Sequence, residues 1–201
     1  MKQYRKIILA SGSPRRRELL TQAGLQFEVI KSDADETITK TEPAEIVKEL
    51  SSRKAAAALQ CFPPETASEP APLIVAADTI VVLDGKVLGK PEDQADALAI
   101  LKSLSGRAHK VYTGVCVLTP GDEKPALLFA EETQVEMCAF SEEDILSFIA
   151  TGIPMDKAGA YAIQGLGSFL VKGIIGDFHN VMGFPLGRFL REGFAKKWFS
   201  L

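Results

Sequence analysis

A strand-like run, Lys6-Ile7-Ile8-Leu9-Ala10, passes directly into Ser11-Gly12-Ser13-Pro14-Arg15-Arg16-Arg17. Ser13 stands at an N-cap position, Pro14 suits the first helical residue, and Arg15 to Leu20 opens a helix. A helix start already carries partial positive charge and unpaired amide hydrogens, so three arginines there are costly unless an anion sits among them. A phosphate group would answer the charge, the free amides and the guanidinium forks together. The competing reading is an exposed helix whose arginines simply reach into solvent.

Asp78 is the second informative residue. It interrupts Ile74-Val75-Ala76-Ala77-Asp78-Thr79-Ile80-Val81-Val82, a run apolar enough for a strand buried on both faces. An ionised carboxylate there is expensive unless a cation, a metal or several donors meet it. Such a charge often marks a site; otherwise it is satisfied by backbone amides at a bulge or by a core arginine. Two lysines are placed to share its cleft. Lys90 follows a hairpin in Gly89-Lys90-Pro91, and Lys54 precedes four alanines at 55–58 on a helix. Taken singly, each reads as a solvated or snorkelling cation.

Glu36 and Glu42, in the acidic connection before that helix, offer oxygen ligands to a hard cation such as Mg²⁺, or else form a solvated loop. His109 and His179 are too few for a His-based zinc site. Between Met155 and Gly165, small residues crowd around Lys157, and Gln164 sits between Ile163 and Gly165. A glutamine amide offers both a donor and an acceptor, which suits the edge of uracil or thymine, although glutamine beside glycine is also an ordinary turn residue. There is no Gly-x-x-x-x-Gly-Lys-Ser/Thr loop, Gly165-Leu166-Gly167 lacks the third glycine of a dinucleotide fingerprint, and Gly12-Ser13-Pro14 is not a nucleophile elbow.

Strands and helices that must hold these residues are interspersed, the signature of an α/β or α+β fold. Strands are predicted at 6–10, 27–30, 73–83, 87–88, 111–118 and 127–135. Helices are predicted from Pro14 to Gly24, from Pro43 to about Leu59, from Asp93 to Leu104 and from Ser141 to Gly152. Asp84-Gly85 makes a tight turn, and Ser141 with Asp144 forms a capping box in which Asp replaces the usual Glu. The proline-rich stretch 61–72 reads as an exposed loop, and the glycines between 159 and 187 as sites of close backbone approach.

The length of 201 residues, 46% hydrophobic and 24% charged, suits one compact domain or two lobes sharing a sheet. With a net charge of -3 the positive charge is local, which disfavours a nucleic-acid or membrane-surface binder. Cys61, Cys116 and Cys138 are odd in number and unevenly spaced, fitting a reducing compartment. No segment has the length to span a bilayer, and the N-terminus has no apolar signal core, so the expected setting is cytoplasmic.

In combination, Ser11-Gly-Ser-Pro-Arg-Arg, Ala77-Asp78-Thr79, Gly89-Lys90-Pro91, Val111-Tyr-Thr-Gly-Val, Asp156-Lys157-Ala-Gly-Ala-Tyr, Ile163-Gln164-Gly165 and Asn180-Val-Met-Gly-Phe-Pro-Leu resemble the Maf family of nucleoside triphosphate pyrophosphatases. The likeness spans essentially the whole chain in the family's order. It implies a single domain over 1–201 with an elongated, mixed and twisted α/β sheet flanked by helices, two lobes and a central cleft, as in Maf and inosine triphosphatases. It also implies a homodimer. By the resemblance Asp78 matches the proton acceptor, and Arg15, Thr79 and Gln164 match positions tied to substrate choice in the branch similar to dTTP/UTP pyrophosphatases. Ser11, Arg15, Arg16, Lys54, Lys90 and Lys157 are expected to hold the nucleotide. Mg²⁺ or Mn²⁺ is expected on Glu36 and Asp78. The family's other readings are the branch acting on 7-methyl-GTP, and a nucleotide-sensing module linked to arrest of septum formation. Ser51-Ser52-Arg53, the 61–72 loop and Phe184 depart from the family's usual pattern.

Overall fold

Each element begins where the chain's local chemistry starts it. The computed structural model describes residues 1–31, 33–61 and 70–201. Its elements are β1 (Lys2–Gln3), β2 (Ile7–Ala10), α1 (Pro14–Gln22), β3 (Phe27–Ile30), α2 (Pro43–Gln60), β4 (Leu73–Leu83), β5 (Lys86–Leu88), α3 (Gln94–Leu104), β6 (Ala108–Leu118), β7 (Leu127–Met137), α4 (Glu142–Ala150), β8 (Val171–Ile175), α5 (Phe178–Val181), α6 (Leu186–Ala195) and β9 (Phe199–Ser200). Pro14 and Pro43 take the first turns of α1 and α2, where the missing N–H costs nothing. The Ser141–Asp144 box is complete, each side chain accepting from the other residue's amide at 3.1 and 2.9 Å. The bulk of the 61–72 loop, residues 62–69, lies outside the described residues.

The central sheet has seven strands in the order β3-β2-β4-β6-β7-β8, with β5 added to β4. β2 runs parallel to β3 and β4, and the remaining pairs are antiparallel, so the sheet is mixed as expected. β2 pairs with β4 along Leu73–Ala76, and β5 pairs with it along Val81–Leu83. Between them, residues 77–80 pair with β6 on one side and with no described strand on the other. This break lies beside the C-terminal end of β2, the kind of switch point at which open α/β sheets bind ligands.

The same four residues divide the core. On one face of β4, Leu73, Val75 and Ala77 belong to one cluster and Val81 and Leu83 to another, with Thr79 between them. On the opposite face Asp78 separates Ile74 and Ala76 from Ile80 and Val82. The strand is apolar at both ends and polar in the middle on both faces, so the protein has two lobes with a cleft between them. Among the described residues, no helix is long and apolar enough to cross a membrane.

One core residue gives the fold a pH dependence. His109 of β6 is 3% exposed, its Nε2 lies 2.7 Å from the Tyr161 hydroxyl, and its Nδ1 has no partner among the described residues. Burial pushes its pKa from an ordinary 6.5 down to about 4. Between these values the unfolded chain binds the proton and the folded one does not, so stability is full above 6.5 and falls as the pH drops toward 4. The expected loss across that window reaches about 3 kcal/mol. Denaturant melts of wild type and His109→Gln at both ends of the window check this. The variant should lose most of the extra pH dependence.

Candidate active site

The break in the sheet acquires its chemistry from how closely α2 lies against it. Asp78 pairs with Gly114 of β6, and a Cβ built on Gly114 would stand 2.1 Å from the Val47 carbonyl oxygen of α2. Glycine is what lets the helix settle onto the strand there. Two turns further along α2, Lys54 reaches the Asp78 carboxylate at 2.6 Å. The same ammonium meets Glu36, from the connection between β3 and α2, at 2.7 Å. The buried acid is therefore answered by a lysine, rather than by a core arginine or the amides of a bulge. Lys54 itself does not snorkel into solvent: its side chain is 17% exposed. Its hydrogen bond, with Lys90 and Arg16 adding, holds the Glu36 carboxyl below the usual carboxylate range.

The arginines of α1 divide their directions. Arg16 turns inward, its Nε donating to the Gly183 carbonyl at 2.7 Å, Nη1 to Ser11 Oγ at 3.2 Å and Nη2 to Thr79 Oγ1 at 3.1 Å. Burial lowers the pKa of this guanidinium, and Asp78 opposes that shift. Arg15 faces the cleft, whereas Arg17 is exposed and outside it. Ser13 occupies the N-cap but makes no side-chain cap bond, and its own amide donates to Ser11 Oγ at 3.2 Å. The first-turn amides of α1 therefore have no side-chain cap, as an anion-binding helix start requires.

From the far wall come Lys90, beyond β5, and the segment 153–164. Lys157 donates to the Ile153 carbonyl at 2.6 Å and pairs with Asp156. Gln164 ends this segment, and its amide has no hydrogen-bond partner among the described residues. Ser11, Arg15, Arg16, Glu36, Lys54, Asp78, Thr79, Lys90, Lys157 and Gln164 all line one cleft of about 770 Å³, within the range of small-molecule sites. Glu42 does not join them. It is exposed, and its carbonyl accepts from the Ile46 amide to start α2.

Sequence reasoning did not find the support behind this wall. Thr113 of β6 and Asn180 of α5 are fully buried; Thr113 Oγ1 donates to the Asn180 carbonyl at 3.0 Å and lies 2.9 Å from Thr79 Oγ1. The available signal was the pair of strand-interior polar residues, Thr79 and Thr113, in otherwise apolar runs.

No cluster of three or more His, Cys, Asp or Glu side chains suited to a metal occurs among the described residues. The donors do suit a hard cation shared with a ligand. Asp78 and Glu36 converge on a single ammonium, and Mg²⁺ commonly takes one or two carboxylates, completing its shell with phosphate oxygens and water.

Fold and site define an α/β protein that gathers six cationic side chains, Lys31 among them, along the cleft that holds one buried acid at a sheet switch point, a design for holding a polyanionic small molecule. The chain belongs to the Maf family: the family model for Maf-like proteins matches residues 6–192. It is similar to a dTTP/UTP pyrophosphatase of Caldanaerobacter subterraneus subsp. tengcongensis, 43% identical over 96% of this chain and 91% of the relative. Proteins of the same description from a Thermoanaerobacter species and from Bacillus cereus are 45% and 43% identical. The first alignment covers 91% of this chain and 92% of the relative, the second 94% of each.

Proposed function

We propose that this protein hydrolyses dTTP and UTP, and modified pyrimidine nucleotides of the same shape, to the monophosphate and pyrophosphate. The observation that carries the reading is Asp78, 8% exposed, set in the break of β4 with six cations lining the same cleft. The relatives' descriptions supply the base class.

Attack at the α-phosphorus needs positioning and charge neutralisation more than covalent help. Ser11 and the uncapped amides of α1 hold phosphate oxygens, and Arg15, Arg16, Lys54, Lys90 and Lys157 neutralise them. Asp78 accepts the proton of the attacking water, and Lys54 holds the carboxylate in place until substrate phosphates draw the ammonium toward them. Glu36 and Asp78 are the residues that would hold Mg²⁺ or Mn²⁺. Bound there, the ion would neutralise phosphate charge and make the water more acidic. Thr79 and Gln164 face the base. A single domain over 1–201, a homodimer and a cytoplasmic setting belong to the same reading, supported by the family membership and the three free cysteines.

A panel of dTTP, UTP, CTP, ATP and 7-methyl-GTP with Mg²⁺, assayed for pyrophosphate, tests it. Release from dTTP and UTP well above the others is expected. Tight binding without release would favour a sensor instead, and preference for 7-methyl-GTP would move the chain to the other branch.

A further inference from the structure

We propose that Thr113, fully buried and outside the cleft lining, sets base choice by fixing the direction of a buried hydrogen-bond chain, so that Thr79 shows the cleft an acceptor and selects a base bearing an imide N–H. This rests on the nucleotide reading given above and deepens it.

Two hydroxyls can orient either way, but their surroundings leave one economical arrangement. Thr113 is fully buried, and the Asn180 carbonyl 3.0 Å away can only accept. Thr113 therefore gives its single proton to that carbonyl. Its remaining close contact, Thr79 Oγ1 at 2.9 Å, must then be the donor. The reverse arrangement would bring the lone pairs of Thr113 against those of a buried carbonyl, leaving a polar contact unmade where none is cheap. Within the protein it would also leave the Thr79 proton just the Gly183 carbonyl at 3.4 Å, which already accepts from Arg16 Nε at 2.7 Å.

With its proton committed to Thr113, Thr79 Oγ1 has two lone pairs. One accepts from Arg16 Nη2 at 3.1 Å. The other is left for the cleft that this half-buried residue lines. An acceptor is useless to a phosphate oxygen but suits an N–H. Uracil and thymine carry a hydrogen on the ring nitrogen between their two carbonyls; cytosine does not. Gln164, in the same cleft with its amide unengaged, can donate to a neighbouring carbonyl of the base. The Asn180 carbonyl that sets the chain's direction is itself anchored, because the Asn180 amide donates to the Val111 carbonyl at 3.1 Å and to Thr133 Oγ1 at 2.9 Å.

The test compares kcat and KM for dTTP and dCTP, which share sugar and triphosphate, in wild type, Thr113→Val and Thr113→Ser. Wild type should prefer dTTP. Thr113→Val keeps the shape but frees the Thr79 proton to turn toward the base. It should lower the dTTP-over-dCTP ratio of kcat/KM by about tenfold or more, mainly through KM for dTTP. Thr113→Ser, which keeps the hydroxyl, should restore the ratio. A merely structural role would depress both substrates in parallel, and that outcome overturns the proposal. Should the valine variant fail to fold, the proposal is still overturned by equal wild-type kcat/KM for dTTP and dCTP, or by a serine variant that has lost the preference. A wild type that releases pyrophosphate from neither nucleotide defeats the hydrolase reading itself, and this inference with it.

Discussion

Replacing Asp78 with asparagine is expected to lower kcat for pyrophosphate release by about 10²–10⁴-fold, the usual worth of a positioned general base. Asparagine preserves the shape of the side chain but cannot take a proton at the pH of the reaction. The fold should tolerate the change, because Lys54 keeps its second partner, Glu36, at 2.7 Å. Nucleotide affinity should hold or rise, since one negative charge leaves a cleft that must accept a polyanion. Single-turnover pyrophosphate release and calorimetric titration of dTTP separate the two effects. An asparagine variant that turns over normally would remove Asp78 from the chemistry. One that loses affinity and turnover together would recast it as a residue that only orders Lys54.

The elements from β2 to β5 were legible because their start and stop signals are local. The predicted strands at 27–30 and 73–83 coincide with β3 and β4, and the Asp84-Gly85 turn joins β4 to β5. β6 and β7 begin or end outside the predicted ranges, at Ala108 and Met137, because their outer residues are held by pairing with neighbouring strands, Ala108 with Glu136 and Met137 with Val171 of β8, and not by an apolar pattern of their own. Residues 171–200 hid most. β8 alternates burial weakly along Val-Lys-Gly-Ile-Ile, and β9 closes a two-residue ladder with β1 from the opposite end of the chain. Partners so distant in sequence leave no local trace.

The site divides in the same way. Arg16 and Asp78 could be singled out because each is a charge in an unfavourable place, a helix start or an apolar run; Lys54 stood out only as a charge before four alanines, and Thr79 entered through the family resemblance alone. Their mutual arrangement could not, because it depends on which strands leave residues 77–80 unpaired on one edge. The pairing of Asp78 with Lys54 rather than with an arginine follows from the path of α2, which no residue near Asp78 in sequence encodes. Thr113 and Asn180 were invisible as site residues because they act through other groups.

Gly114→Ala should be severely damaging for a change of one methyl group. The added Cβ would lie 2.1 Å from the Val47 oxygen, 2.4 Å from the Val47 carbonyl carbon and 2.9 Å from the Lys48 nitrogen. All three are backbone atoms of α2, so no side chain can rotate away and the helix itself must lift from the sheet. Overpacking of this kind costs about 1–3 kcal/mol and sometimes more, and rigid backbone on the receiving side puts this case at the upper end. For a chain of this size that corresponds to a fall in Tm of about 6–12 °C. The damage should not be confined to stability. α2 carries Lys54, whose ammonium spans Asp78 and Glu36 at 2.6 and 2.7 Å, and a displacement of about 1 Å at a reacting centre can cost on the order of 10²-fold in rate. Gly173→Ala in β8 is the matched control, since a Cβ there meets nothing within 4 Å. It should melt with the wild type and turn over at the same rate. If Gly114→Ala does likewise, α2 does not lie where the Lys54–Asp78 contact requires, and the charge arrangement on which the proposed hydrolysis depends is lost with it.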